Sequence, residues 1–291
     1  MADKWHAGVN GDWNDTNNWS STKGGATGVA KPANTNDVYL WVGAVSLDTN
    51  LDQSAVTAAT LNILEGFGLP SGATSPVAGI TIGSAAAPLK ISATTVTIKN
   101  TRLSAIYLQG TYTTIDIKAL APGGKVYIVG GTVTNVYAGQ TGQVEFADSA
   151  ELTGTLETSG AVVKLGTQAS SPDLAVYASV GSFVESKRLI KSGNIEGTVV
   201  LMDAASVPSS SNITVGRGGT FKLNCNNAIG GSSSDTLRVL AGGTLTAREN
   251  RSTITINSKV IYHSGATVDL PVGVVTAAST QPVGPTAISP P

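Results

Sequence analysis

The sequence is short of most residues from which enzyme centres and charged surfaces are built. It has one cysteine, Cys225, which excludes an intrachain disulfide and any metal site made of several thiolates. Cys225 reads as a small buried apolar filler. Two histidines, His6 and His263, stand near opposite ends of the chain with no nucleophile or carboxylate flagged beside them, so both read as ordinary surface histidines. Charged residues make up 13% and the formal net charge is −1, which leaves no basic field for nucleic acid or an anionic membrane. No HExxH, Walker or GxSxG pattern occurs, and nothing in the sequence calls for a cofactor or metal. No run of 18 apolar residues is present, and the start, MADKWHAGVNGDW, lacks a basic stretch followed by an apolar one. The expectation is a chain made in the cytosol that stays soluble there unless a larger assembly carries it out.

What is present points to strands and turns. Glycine is abundant at 34 residues, Thr, Val, Ser and Ala fill most of the rest, and helix formers such as Glu, Lys and Arg are scarce. Only DQSAVTAATL, residues 52 to 61, could hold one or two helical turns. With 41% hydrophobic residues, 291 residues suffice for one large all-β domain or two ordinary ones.

Internal repetition decides the architecture. ITVGRGGTFKL from Ile213, LRVLAGGTLTA from Leu237 and VIYHSGATVDL from Val260 share one grammar: apolar-x-apolar-x-x-Gly-(Gly/Ala)-Thr-apolar-x-apolar, at offsets of 24 and 23 residues. A Gly-Gly-Thr run such as Gly242-Gly243-Thr244 could cradle a phosphate, but a phosphate loop occurs once, at a strand-to-helix junction. Three copies flanked by strand alternation describe a repeating corner. Upstream, Ile106-x-Leu108-x-Gly110 and Val126-x-Ile128-x-Gly130 lie 20 residues apart, and Gly130-Gly131-Thr132-Val133 repeats the corner. Strands of three to five residues returning every 18 to 24 predict a single-stranded parallel β-helix, or solenoid, starting near residue 80 or at Thr60. Asn224, Asn226 and Asn227 are candidates for left-handed corners or a stacked amide ladder. The competing fold is an antiparallel β-sandwich or jelly roll, whose turns come every 8 to 12 residues without such an echo.

The ends differ from the middle. All four tryptophans, Trp5, Trp13, Trp19 and Trp41, fall in the first 41 residues. Residues 1–45 therefore read as an N-terminal cap over the first coil, or as a docking or sugar-stacking surface, with Trp5, Trp13 and Trp19 as partner-binding candidates. Residues 46–270 read as the β-helix. After Asp269 no charge follows, and residues 271–291 hold five of the twelve prolines. Because proline removes ladder donors, this segment predicts an extended arm that adds no coil, with Val274, Val275 and Ile288 as anchors on a partner.

Glu145, Asp148, Glu151 and Glu157 lie in successive strands and turns, where a polysaccharide-cutting β-helix would place a carboxylate pair. On a solenoid such outward acids more commonly solubilise. Lys187, Arg188 and Lys191 read as a solvated turn that could also meet an acidic partner surface.

GDWNDTNNWS, with Trp13, Asn18, Trp19 and Ser20, followed by a Gly-rich loop and NTNDVYLWVG, resembles the opening of many β-helical surface and virion proteins. Autotransporter passengers of that kind carry a secretion signal that this start lacks. The chain looks more like a bacteriophage structural protein, either a head decoration (cement) protein or a tail fibre or spike component. The resemblance implies a non-enzymatic protein on the outer capsid surface, made in the host cytoplasm. It also implies a homotrimer that contacts the major capsid protein and bridges its subunits, with no nucleic acid or membrane partner. The alternative it implies is a tail spike that recognises or cleaves host polysaccharide.

Overall fold

A computed structural model describes residues 2–43, 45–68, 79–139, 142–167, 174–188, 190–202, 212–224, 235–247, 254–270 and 275–283. The chain divides into two compact units, Met1–Glu151 and Leu152–Pro291. Each is a parallel β-solenoid, and the described helical structure is one 3-10 turn, Thr16–Asn18.

Unit 1 holds β1 (Asp3–His6), β2 (Trp19–Ser20), β3 (Asp37–Leu40), β4 (Asp52–Ile63), β5 (Thr81–Ile82), β6 (Leu89–Asn100), β7 (Ala105–Leu120), β8 (Lys125–Ala138) and β9 (Gln143–Phe146). Successive rungs β1, β3, β4, β6, β7, β8 and β9 pair in parallel, while β1–β2 and the isolated bridge Ser20–Thr27 are antiparallel. The register aligns Lys4, Val38, Leu61, Val96, Ile115 and Val136 in one column and His6, Leu40, Ile63, Ile98, Ile117 and Ala138 in the next. Apart from Lys4, every member of both is buried. Two-residue alternation sends the residues between them outward as Trp5, Tyr39, Asn62, Thr97, Asp116 and Tyr137.

Unit 2 is built from β10 (Ala150–Thr158), β11 (Val162–Leu165), β12 (Ala175–Ala178), β13 (Phe183–Ser186), β14 (Ser192–Ile195), β15 (Thr198–Leu201), β16 (Asn212–Val215), β17 (Thr220–Leu223), β18 (Thr236–Val239), β19 (Thr244–Ala247), β20 (Ile254–His263), β21 (Thr267–Asp269) and β22 (Val275–Val283). Even-numbered strands from β10 to β22 form one parallel ladder, and odd-numbered strands from β11 to β21 form the other. The three sequence repeats superpose as read: Val215 aligns with Val239, and Val239 with Tyr262. Parallel pairing throughout rules out the sandwich.

The repeated corner is one tight turn used again and again. The N–H of Ser182, Gly219, Gly243 and Ala266 donates to the carbonyl three residues back, at Ser179, Gly216, Leu240 and His263. The third residue of each turn is Gly181, Gly218, Gly242 or Gly265, with φ between 76° and 82°. That is the φ a type II turn demands there, and glycine reaches it without steric cost. The corners also bond to one another, Gly218 N–H to the Gly242 carbonyl at 2.9 Å and Gly242 N–H to that of Gly265 at 2.8 Å. Gly242-Gly243-Thr244 is thus a corner whose donors are already spent on its neighbours.

Several expectations need correction. The stack begins at β1, well before residue 60, so residues 1–45 supply its first two rungs as well as its lid. Residues 52–61 fall within strand β4 and form no helical turn. Unit 1 does not use short strands throughout: β4, β6, β7 and β8 run 12 to 16 residues and bend around the corner unbroken. Gly130-Gly131 is such a bend inside β8, where Gly131 has φ 90° and a side chain would meet the Gly110 carbonyl at 2.0 Å. The segment 271–291 is not wholly an added arm, because β22 pairs in parallel with β20 from Val275–Ile254 to Val283–His263. Pro282 is tolerated because β22 pairs with no described strand beyond it, and an edge strand can leave one donor out. Cys225, Asn226 and Asn227 lie outside the described residues; the N–H of Asn224 donates to the Leu201 carbonyl at 2.7 Å.

Gly242→Ala places a Cβ at φ 76° and is expected to lower stability by about 1–2 kcal/mol. Ala241→Gly, in the same turn, is the control that leaves that position intact. Thermal unfolding followed by circular dichroism checks this, and an unchanged midpoint for Gly242→Ala would refute the corner assignment.

Candidate functional site

The first turn of unit 1 concentrates the aromatic residues, and strand alternation sorts them into two sets. Trp13 and Trp19 have no exposed surface. They meet edge to face, with centroids 4.9 Å apart, and the Trp19 indole N–H donates to the Trp13 carbonyl at 2.8 Å. The loop between β1 and β2 is locked by Asn18, also fully buried. Its Oδ1 accepts from the N–H of Val9 (2.8 Å) and Asn10 (3.0 Å), while its Nδ2 donates to Asn10 Oδ1 (2.7 Å) and the Asp12 carbonyl (2.8 Å). Both hydrogens and both acceptor lone pairs of the amide are thereby engaged. Asp15 caps the 3-10 turn by accepting from Asn17 N–H at 2.9 Å, and Ser20 Oγ donates to the Thr22 carbonyl at 2.8 Å. The GDWNDTNNWS motif therefore builds a lid, and Trp13 and Trp19 are withdrawn from the partner-binding set because no atom of either reaches the surface.

His6 is likewise no surface histidine. It occupies an inward position of β1, 1% exposed, with Trp19 and Phe67 at centroid distances of 5.1 and 5.7 Å. Neither ring nitrogen has a partner of good hydrogen-bond geometry. Burial disfavours the imidazolium and pushes its pKa down to about 4, the nearby Val42 backbone opposing this only in part.

The second set faces outward. Trp5, half-buried, stacks on Tyr39 with centroids 4.0 Å apart and planes 7° from parallel, one rung further along. Trp41 stands edge-on to Trp5 at 6.2 Å, and Lys23 Nζ lies 5.3 Å from its ring centroid. Burial, then the Asp3 and Asp37 carboxylates, raise the Tyr39 pKa above its ordinary value. Tyr39 and Trp41 were absent from the sequence-derived set. The alternation Val38-Tyr39-Leu40-Trp41, with Val38 and Leu40 apolar and inward, carried the signal that they share the face of Trp5.

The other candidates do not converge. Glu145 on β9 sits in the outward column after Tyr107 and Tyr127 and accepts from Gln143 Nε2 at 3.1 Å. Asp148 lies in the turn after β9, Glu151 is half-buried on β10, and Glu157 aligns with Tyr177 and Asn194 in unit 2. No cluster of three or more His, Cys, Asp or Glu able to hold a metal occurs among the described residues. Lys187-Arg188-Lys191 is not a wholly solvated turn: Arg188 is 6% exposed and its Nε donates to the Gly166 carbonyl at 2.8 Å. Val275 opens β22, and Val274 and Ile288 lie outside the described residues. No described helix is long and apolar enough to cross a membrane.

Comparison with models of known protein families, with characterised proteins and with solved structures gives no match.

Two outcomes test the lid. Asn18→Ala would leave the Val9 and Asn10 N–H groups without their acceptor, and is expected to cost about 2–4 kcal/mol in denaturant unfolding of the full chain. A change below about 0.5 kcal/mol would show that the loop does not depend on Asn18. For His6, the unfolded chain takes up a proton near pH 6.5 while the folded lid resists until about pH 4. Its contribution is therefore complete above pH 6.5 and is lost as pH falls towards 4, by about 3 kcal/mol in all. His6→Leu should flatten that part of the stability-against-pH curve, and an unaltered slope would count against a buried neutral imidazole.

Proposed function

We propose that the protein is a non-enzymatic structural component of a bacteriophage particle, a decoration (cement) protein on the outer surface of the head. It seats on the major capsid protein and strengthens the lattice by bridging neighbouring subunits, as a homotrimer. The observation that supports this reading best is the stacked Trp5–Tyr39 pair, carried on rungs hydrogen-bonded into the stack of unit 1. Aromatic side chains anchor protein interfaces because they bury much area for little rotamer entropy. Held on a rigid ladder, they lose less freedom on binding than they would on a loop. Unit 2 contributes differently. Its later rungs carry an outward threonine column, Thr198, Thr220, Thr244 and Thr267, while Val162, Tyr177 and Val180 are exposed on its earlier ones. The threonine column suits a spacer that resists unwanted association.

A cement protein holds a lattice by repeated modest contacts, and several contacts on one body act at high effective concentration. The second contact falls to the residues after β22, with Ile288 as anchor, since β22 itself belongs to the ladder.

A mass-spectrometric census of purified particles tests the placement. Copy numbers comparable with the major capsid protein are expected; a handful per particle would move the chain to the tail, and none would overturn the reading. With capsids in hand, Trp5→Ala should weaken attachment about tenfold or more, the loss of roughly 1.4 kcal/mol or greater. Deleting 284–291 should weaken it while leaving the thermal midpoint unchanged. Full occupancy by both variants would refute these contacts.

A further inference from the structure

We propose that the depression beside Trp41 in unit 1 binds an acidic saccharide, a pyranose unit carrying a carboxylate. The depression has a volume of about 360 Å³ and is lined by Lys23, Trp41, Leu64, Glu65, Gly66 and Lys99. That volume lies within the range of small-ligand sites.

The lining supplies each group that such a ring needs. The half-buried indole of Trp41 and the half-buried Leu64 offer apolar surface for the C–H face of a pyranose. Glu65, in the turn after β4, and Lys99, on β6, have Oε1 and Nζ 3.7 Å apart, and both side chains are more than half exposed. An exposed pair at that distance is loose, so the carboxylate is free to accept from sugar hydroxyls and the ammonium to donate. Lys23 Nζ, held 5.3 Å from the Trp41 centroid, places a second ammonium at the ring itself. The flexible stem of that lysine lets it swing aside to a ligand carboxylate as the sugar takes its place. Two ammoniums against one carboxylate leave the site one positive charge in excess, the complement of a single uronate.

The walls are fixed before any ligand arrives. A Cβ on Gly66 would lie 2.0 Å from the Trp41 carbonyl oxygen, so close packing of the two backbones sets the floor and excludes a side chain there. Trp5 braces the indole edge-on, and Trp5 is itself held by its stack on Tyr39. Preorganisation of this kind reduces the entropy lost on binding. Glu65 also discriminates between ligands: it repels a run of acidic residues or phosphates but accepts hydroxyls, which only the sugar among these provides.

The inference does not rest on the placement on a particle, because the isolated full-length protein tests it. Calorimetric titration with an α-1,4-linked galacturonic acid trimer is expected to show binding that falls with added salt. The reduced, neutral galactose trimer should bind at least about fivefold more weakly, the share carried by the charge pair. Trp41→Ala should abolish detectable binding. Because that variant could disturb folding, Lys99→Ala and Lys23→Ala, both at exposed positions, are read beside it; each should lower the affinity for the acidic trimer and narrow its advantage over the neutral one. Glu65→Gln should weaken both trimers alike. The proposal is overturned if neither the galacturonate trimer nor a hyaluronate hexamer binds, if Trp41→Ala and the lysine variants bind as the parent does, or if a poly-glutamate peptide binds while the sugars do not.

Discussion

In-register parallel stacking is the constraint on which everything else depends. Each rung is paired with the same position of the next, so a residue inherits the environment of the residue one coil away. An inward position must be apolar in coil after coil, and an outward one is released from that demand throughout. The column from Leu40 through Ile63, Ile98 and Ile117 to Ala138 shows the first condition, and that from Tyr39 through Asn62, Thr97 and Asp116 shows the second. Beside β1 the stack meets only the two-residue β2, so the inward side chains there depend on the loop before β2 to keep them from exposure. Trp13, Trp19 and Asn18 answer that exposure, two by area and one by hydrogen bonds. His6 is accepted in the apolar column because it stays neutral between Trp19 and Phe67.

The two units turn their corners by different means, and the difference explains what their sequences look like. At four described corners of unit 2 the chain leaves the ladder, closes a four-residue turn and re-enters, which needs glycine at the third position of each turn. That need generates the echo of 23 and 24 residues. In unit 1 the long strands bend while still paired, with register shifts where the inner path is shorter, as between Leu108 and Gln109 of β7. A bend of this kind makes fewer demands on residue type. It requires glycine only where two backbones close to contact, as at Gly110, where a Cβ would lie 2.1 Å from the Ile91 carbonyl.

This contrast marks how much was legible in the sequence. The architecture, the corner and the stacking of Val215, Val239 and Tyr262 could be read because the turn chemistry of unit 2 is repeated and residue-specific. The start of the stack could not, because β1 and β3 carry no corner glycine in phase with the later coils, and their aromatic content suggested a separate lid. The strand at 275–283 was concealed by proline, whose cost falls only on a donor that an edge strand leaves idle. At the candidate site, composition gave the tryptophan cluster but not its division, for which the phase of alternation is needed. Trp5 and His6 are neighbours in sequence and face opposite ways.

That division has a physical origin beyond this one pair. A lid over the first rung has to be large and apolar, and the outward face beside it is bordered by the two-residue β2, which sets only Ser20 against Trp5. The same few residues that bring in Trp13 and Trp19 for closure therefore leave room for Trp5, Tyr39 and Trp41 to stand at the surface. Deeper in the stack an outward ring is confined by rungs on both sides, as Tyr107 and Tyr127 are, face to face at 4.6 Å. Trp5 and Tyr39 stack in the same way at 4.0 Å. Trp41, past the end of β3, leaves the ladder, stands edge-on to Trp5 and presents its ring to the depression. Closure of the fold and presentation of aromatic surface are thus two results of the same first rung and its short antiparallel neighbour.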